Sequence, residues 1–466
     1  MTSGERGDTI AAISTPVGTG GIGIVRLSGP RSLAIAERLF HRKGKGHPAL
    51  LSRRFYTGEI LHPSDGRILD EVLLVYMAAP KTYTREDVVE IQCHSGILVL
   101  QEILQAVLAG GARLAEPGEF TKRAFLNGRL DLAQAEAVID LIQAKTQRSL
   151  EIAHRQRAGR LSQKVQAFQD EILDLLSLLE AEIDFPEEGL PEFSREDFRR
   201  RLEANRIGLE ALLRTYEEGK LYREGLAVVI VGRPNVGKSS LLNSLLREER
   251  AIVTSIPGTT RDVIEETLNI SGIPLRIMDT AGLRHAQDAI EEEGVRRTRE
   301  CLSQADLVIW VVDGSELLKN EDLDILALVR SQKTASALIA LNKNDLPPGF
   351  PPESLREKIP EVPQVSISAL GGSGIENLKD EIRRMIFTGK TESPGEILLS
   401  NLRHKQAIEK ARQALNQALE SLSVGLSAEF LSVDLREAQA ALGEIAGTYT
   451  AEDILERIFS QFCVGK

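Results

Sequence analysis

The chain is poor in cysteine, tryptophan and net positive charge. Its 466 residues include three Cys and one Trp, and 57 Lys and Arg stand against 68 Asp and Glu. Cys93, Cys301 and Cys463 are odd in number and far apart, which argues against a disulfide framework and for a reducing compartment. No apolar run approaches the roughly 20 residues that span a bilayer. The opening "MTSGERGDTIAAIS" has no basic region followed by an apolar core, so it does not read as a secretory leader. A cytoplasmic protein with no membrane segment is expected. A net charge of −11 excludes a uniformly basic nucleic-acid surface but not a local one. "RSLEIAHRQRAGRLSQK" (148–164) places four Arg and a Lys in one predicted helical stretch; a solvated face is its plainer reading.

The length calls for about three domains. Residues 1–119 read as mixed α and β. "GGIGIVRLSG" (20–29) and "DEVLLVYMA" (70–78) are strand-like, and "GILVLQEILQAVLAGGA" (96–112) is a helix ended by Gly110-Gly111. Residues 120–221 turn helical, with Ile172, Leu175, Leu176, Leu179 and Ile183 on one face, until "DFPEEGLPEF" (184–193) interrupts them. In 222–387 the runs "LAVVIV" (226–231), "PLRIMD" (274–279), "LVIWVV" (307–312) and "ALIALN" (337–342) alternate with helical patterns. Wholly apolar strands separated by crossover helices predict a mostly parallel sheet with helices on both faces. Beyond "TGKTESPGE" (388–396) the chain is helical again to its end. The expected fold class is multidomain α/β: an N-terminal α+β domain, and a discontinuous helical domain (120–221 and 388–466) with a Ras-like P-loop domain inserted.

"GRPNVGKS" (232–239) follows one strand and opens a helix, the context G-x-x-x-x-G-K-[ST] requires. The glycines let backbone N–H groups from Asn235 through Val236, Gly237, Lys238, Ser239 and Ser240 wrap phosphates. Lys238 reaches the β and γ oxygens and Ser239 takes Mg²⁺. "NKND" (342–345) selects guanine, because Asp345 can accept from both N1–H and the 2-amino group, while Asn342 and Lys343 support the base and the loop. With "PGTTRD" (257–262), "DTAG" (279–282) and "SAL" (Ser368, Ala369, Leu370), five elements stand in the order of a GTPase. Thr260 can complete the Mg²⁺ sphere, Asp279 can hold the metal through water, and Gly282, after Thr280 and Ala281, can offer its N–H to the γ-phosphate. The residue after D-x-x-G, a water-orienting Gln in Ras-type GTPases, is here Leu283. Asn235 is a candidate ligand for a monovalent cation, or else stabilises the turn after Pro234.

The domain alone does not set the function. "TPVGTGGIGIVRLSGP" (15–30), "PGEFTKRAFLNGRLDLAQAEAVIDLI" (117–142), the inserted G domain and the terminal "CVGK" together resemble the tRNA modification GTPases of the MnmE (TrmE) family, over essentially the whole chain. The resemblance implies an N-terminal domain that binds a tetrahydrofolate one-carbon donor, 5,10-methylenetetrahydrofolate or 5-formyltetrahydrofolate, and forms a homodimer. It implies potassium-dependent GTP hydrolysis between facing G domains. It also implies a heterotetramer with an FAD- and NADH-dependent partner of the MnmG (GidA) type, which places a carboxymethylaminomethyl-type group on C5 of the wobble uridine of certain tRNAs.

Carried over by position, Asn235 matches the potassium-binding Asn, and Thr254, Ser255, Ile256, Pro257, Gly258 and Thr259 match the potassium loop. Thr254, Ile256 and Thr259 lie nearest the K⁺ ion. Ser239 and Thr260 match the Mg²⁺ ligands. Glu291 matches the water-orienting Glu, in a register shared with Glu292 and Glu293. Arg26, Glu90, Arg129 and Lys466 match the folate-binding positions.

The terminal "FCVGK" raises the prenylation reading, which Gly465, Lys466 and the lack of a preceding basic run disfavour. Thr450 and Asp453 suggest an N-cap and capping box, followed by a helix with Ile454, Leu455, Ile458, Phe459 and Phe462 on one side. That helix would deliver Cys463 and Lys466 to the folate pocket. Cys463 keeps two readings, a nucleophile toward the uracil ring or a packed thiol. An assembly GTPase of the Era or Der kind, and a nucleotide-gated scaffold for the flavin partner, are the competing functions.

Overall fold

The computed structural model describes residues 7–16, 18, 20–42, 49–184, 194–249, 266–278, 301–331, 336–387, 397–449 and 451–466. The first unit contains β1 (Ile10–Ile13), β2 (Ile22–Ser28), α1 (Ser32–Leu39), β3 (Phe40–His41), β4 (Phe55–Leu61), β5 (Ile68–Met77), β6 (Val88–His94), α2 (Ile97–Ala109) and β7 (Arg113–Leu114). Its strands form one sheet in the order β3-β4-β5-β6-β2-β1-β7, antiparallel except between β1 and β7. Period-two alternation sends Val25 and Leu27 into a core with Ile35, Leu100 and Ile103, and leaves Arg26 on the other face, directly opposite Glu90 of β6. The helix expected over 96–112 ends as read, with Gly111 at φ +100°.

The helical unit comprises α3 (Glu119–Leu126), α4 (Leu132–Gln143), α5 (Gln147–Arg157), α6 (Arg160–Asp184), α7 (Arg195–Arg214) and α8 (Tyr216–Glu224). Asp131 and Gln134 cap α4 reciprocally, a D-x-x-Q box in the sequence. The basic stretch 148–164 is not one helix: Gly159, at φ +80°, separates α5 from α6.

The inserted unit contains β8 (Leu226–Val231), α9 (Lys238–Glu249), β9 (Glu266–Ile270), β10 (Ile273–Ile277), β11 (Leu307–Asp313), α10 (Asn320–Ser331), β12 (Ser336–Asn342), α11 (Pro352–Lys358), β13 (Gln364–Ser366) and α12 (Ile375–Ile386). Strand order is β13-β12-β11-β8-β10-β9, parallel but for the antiparallel edge strand β9. Every residue of β8 and β11 is buried, which is why both are apolar up to the closing Asp313 of β11.

The chain then completes the helical unit with α13 (Leu402–Ser423), α14 (Ala428–Ala446) and α15 (Glu452–Phe459). Two features of α15 depart from expectation. Its N-cap is Ala451, with no side-chain cap, and Asp453 lies in the first turn, where its charge suits the positive helix end; Thr450 lies outside the described residues. Ile454 is 39% exposed, while Leu455, Ile458, Phe459 and Phe462 are buried against Leu132, Ala135 and Ile139 of α4.

The two halves of the helical unit meet at a buried carboxylate. Glu136 of α4 accepts from Arg403 Nε (2.9 Å) and Nη2 (2.7 Å) and from Asn401 Nδ2 (3.1 Å), and His404 Nε2 lies 2.7 Å from its Oε2. Burial works to raise this carboxyl, but His404 and Arg403 outweigh it and hold it down at about 2. The folded value lies below the ordinary 4.5, so the stabilisation is complete above 4.5 and is lost as pH falls toward 2. Glu136→Ala should destabilise the helical unit by about 3–5 kcal/mol at pH 7, because half-buried Arg403 loses its counter-charge and buried His404 loses its hydrogen-bond partner. It should also flatten the acid-side loss of stability between pH 4.5 and 2. Urea unfolding followed by helical circular dichroism at several pH values checks both, and an unshifted midpoint at neutral pH would remove the clamp.

Candidate functional site

The nucleotide loop runs from the end of β8 into α9. Gly232 (φ +152°), Asn235 (φ +65°) and Gly237 (φ +98°) turn the backbone back on itself. Lys238 donates from Nζ to the carbonyls of Gly232 (2.6 Å) and Arg233 (2.8 Å), which holds its ammonium inside the loop, and burial lowers its pKa. Ser239 and Ser240 follow on the first turn of α9.

Asn342, at the end of β12, joins three segments. Its Nδ2 donates to Val236 O (2.7 Å) and its Oδ1 accepts from Ala369 N (2.9 Å). The approach is close: a Cβ on Gly237 would stand 2.1 Å from Asn342 Nδ2. Ser368 is buried and accepts from Gly371 N (3.0 Å), shaping the loop that carries Ala369 and the 89%-exposed Leu370. Asp345 is exposed at the same rim.

Behind these loops lies a network the sequence reading missed. Lys343, itself at φ +67°, pairs with Asp313 (2.5 Å), the last residue of β11. Arg233 is buried between Glu316 (2.8 Å), Asp322 (3.2 Å) and Asp313 (3.9 Å). Burial works to raise the Asp313 carboxyl, but hydrogen bonds from Lys343 and Ser315 hold it below its ordinary value. The available signal was a carboxylate closing an otherwise apolar strand. Thr254, Ser255, Ile256, Pro257, Gly258, Thr259, Thr260, Asp279, Thr280, Ala281, Gly282, Leu283 and Glu291 lie outside the described residues.

A second site forms where the C-terminus meets the first sheet. Arg26 donates to Glu90 Oε1 through Nε (2.9 Å), and to the carbonyl of Gly465 (3.2 Å). Ser14 Oγ reaches the same carbonyl (3.3 Å), and Val464 bridges antiparallel to Pro117. Gly465 has φ +94°, and a Cβ there would meet Ile13 O at 2.4 Å. The tail is therefore pinned by backbone contacts, with the Phe120 ring beneath Arg26 at 5.8 Å. Lys466 is half-buried; burial and the neighbouring Arg26 lower its pKa. Arg26, Glu90 and Lys466 thus come together. Arg129 has its contacts, among the described residues, with Thr82 O (3.0 Å) and the Tyr83 ring (4.9 Å). Cys463 is exposed.

A strand, a phosphate-type loop and a helix, facing an Asn-Lys-x-Asp loop across one parallel sheet, define a P-loop protein of the guanine-nucleotide class. A model of the MnmE helical domain matches residues 132–463, and one of the GTP-binding protein TrmE N-terminus matches residues 9–129. The tRNA modification GTPase MnmE of Syntrophus aciditrophicus is 50% identical over 461 residues, covering 98% of this chain and 99% of its own. Its counterpart in Heliobacterium modesticaldum is 48% identical over 467 residues, covering 99% and 100%. That of Natranaerobius thermophilus is 45% identical over 459, covering 98% and 99%. The chain belongs to the MnmE family of tRNA modification GTPases, and it is an enzyme that hydrolyses GTP. Among the described residues no helix is long and apolar enough to cross a membrane.

Asn342→Ala removes two buried hydrogen bonds that tie the phosphate loop to the base loop. It should weaken GDP binding about tenfold to a hundredfold, read by titration with a fluorescent GDP analogue. Gly237→Ala should be at least as damaging, through both its backbone angle and the clash with Asn342. Unchanged affinity in both would dissociate this contact from nucleotide binding.

Proposed function

We propose that the chain couples GTP hydrolysis to the addition of a carboxymethylaminomethyl-type group at C5 of the wobble uridine of certain tRNAs. It works as a cytoplasmic homodimer, joined in a heterotetramer by an FAD- and NADH-dependent partner of the MnmG type. When bound, 5,10-methylenetetrahydrofolate or its 5-formyl relative supplies the one-carbon unit.

The observation that carries the reading is the convergence of Arg26, Glu90 and Lys466 on a tail pinned to the sheet. The half-buried Lys466 ammonium beside the Arg26–Glu90 pair is the cation that fits an anionic cofactor. Glu90 accepts from the amino and ring N–H groups of the pterin. Arg26 holds the Glu90 carboxylate in place, and Arg129 and Lys466 supply cations for a carboxylate of the glutamate end or for the cofactor head. Cys463, exposed beside this site, is the thiol available to the uracil ring.

In the G domain, Lys238 and the amides from Asn235 to Ser240 hold the phosphates, and Ser239 and Thr260 ligate Mg²⁺. Asn235, with Thr254, Ile256 and Thr259, holds K⁺. Glu291 orients the attacking water, the task Leu283 has no group for. Asp345 reads guanine, with Asn342 and Lys343 bracing its loop. The buried ammonium of Lys238 and the left-handed backbone at Asn235 support the phosphate and cation assignments.

Calorimetric titration of 5-formyltetrahydrofolate tests the tail. Lys466→Gln should weaken binding about tenfold or more, and a chain ending at Gln461 should lose it. Because the Lys466 ammonium is depressed, its contribution should fade as pH rises, earlier than for an ordinary lysine. Equal binding by all three chains would reduce the tail to packing, and no binding by the full chain would remove folate from the reading. In parallel, GTP turnover should be faster in potassium than in sodium salt, and Asn235→Ala should abolish the difference.

A further inference from the structure

The basic stretch 148–164 has no part in either site, yet the fold gives it a shape. The turn at Gly159 brings Arg155, on the last turn of α5, and Arg160, which opens α6, to the same cleft of about 400 Å³. Ile152, Leu161 and Leu398 give the cleft an apolar floor. Gln156 is buried in its wall and donates to Leu398 O (3.2 Å) and Ser400 Oγ (2.9 Å), which ties α5 to the segment returning from the G domain.

We propose that this cleft is a phosphate site that takes a phosphodiester of the tRNA substrate, with the attached nucleoside against the apolar floor. The inference rests on the tRNA reading above and adds where one phosphate binds. Three observations converge on it. Arg155 and Arg160 are exposed and have no carboxylate partner among the described residues, whereas Arg148, Arg201 and Arg403 pair with Glu151, Glu171 and Glu136. The first turn of α6, a 25-residue helix, carries no acidic residue of its own, and its Arg160 and Leu161 line the cleft. The cleft is sized for one nucleotide rather than a helical groove, so the segment read is single-stranded or unstacked. Guanidinium forks suit phosphate oxygens in this setting, and a free mononucleotide presents the same chemistry.

The test is the double variant Arg155→Glu/Arg160→Glu. Both side chains are exposed and outside the nucleotide machinery, so basal GTP hydrolysis should be unchanged. Affinity for unmodified tRNA is measured by anisotropy across a salt series, with the full chain alone and with its flavin-dependent partner; uridine monophosphate is titrated by calorimetry. The double variant should bind tRNA about tenfold or more weakly, with a log–log salt slope smaller by about 1–2. Arg155→Lys/Arg160→Lys should keep the slope and lose only part of the affinity, because charge is retained and the fork is not.

Equal tRNA affinity in wild type and the double Glu variant overturns the site and leaves the tRNA reading standing. Uridine monophosphate binding that the variant loses, with tRNA affinity untouched, overturns the RNA assignment in favour of a free nucleotide. A wild-type chain that binds no tRNA, alone or with its partner, removes the reading and the inference together.

Discussion

The Glu136 carboxylate is the point on which the arrangement of the molecule depends. Its acceptor oxygens are shared by Arg403, His404 and Asn401, which lie more than 260 residues away along the chain. Closing so long a loop costs entropy that grows only slowly with length, so inserting a whole G domain between the partners adds little to the cost. What the insertion does demand is that the two halves find one register. A buried charge supplies that through its intolerance of misplacement: an apolar contact can slide by one helical turn, whereas an ionised carboxylate moved off its donors is left buried and uncompensated. The apolar core around it, including Leu175, Ile408, Leu415 and Leu435, supplies most of the burial.

Helix α4, which carries Glu136, is also where the remote parts of the chain meet. One turn further along, Asp140 pairs with Arg223 of α8, at the entry to β8 (2.8 Å). Just past its C-terminal end, Thr146 donates to Gly272 O (2.7 Å) at the β9–β10 turn, and Ser149 donates to Tyr222 O (2.6 Å). On another face, Leu132, Ala135 and Ile139 hold α15, and with it the tail that lies on Arg26. The β9–β10 turn, bonded by the N-cap of α5 just beyond α4, and the C-terminal residues at Arg26, held through α15, thus both lie next to one helix of 12 residues. Packed helices move as units rather than deform, so a shift of α4 would carry α15 and the α5 N-cap with it.

The sequence was most readable where burial is complete. β8, β10, β11 and β12 are apolar over most of their length because the inserted sheet is covered on both sides, so their positions followed from composition, and the P-loop followed from its flanks. Strands β1, β3, β4, β6, β7, β9 and β13 were not read, being edge, short or half-polar elements whose pattern emerges only once a neighbour sets the face. Gly159 was a visible punctuation mark inside the basic stretch, and its left-handed angle splits what looked like one helix. The pairing of Arg26 with Glu90 needed the β2–β6 register, and Asp313 needed the loop geometry to meet Lys343; neither is a property of local sequence. The Ala451 cap and the exposed Ile454 show the limit at a helix start, where a one-residue shift turns the predicted face.

The nucleotide site and the tail site share a construction principle that charge alone does not reveal. At the first, Gly237 lets the Asn342 amide come within 2.1 Å of where a Cβ would stand; at the second, Gly465 lets the tail lie against Ile13 O, 2.4 Å from such an atom. Gly118 does the same for the last turn of α15, where a Cβ would meet Phe459 O at 2.6 Å. All three have positive φ, so any side chain would meet both strain and collision. Each glycine therefore sets how closely two backbones or a backbone and an amide can approach. The charged residues act at distances those approaches determine: Lys238 within its loop, and Arg26 between Glu90 and the Gly465 carbonyl. In both places the polar groups supply the chemistry and the glycines supply its precision, so losing a glycine would misplace ligands whose identity had not changed.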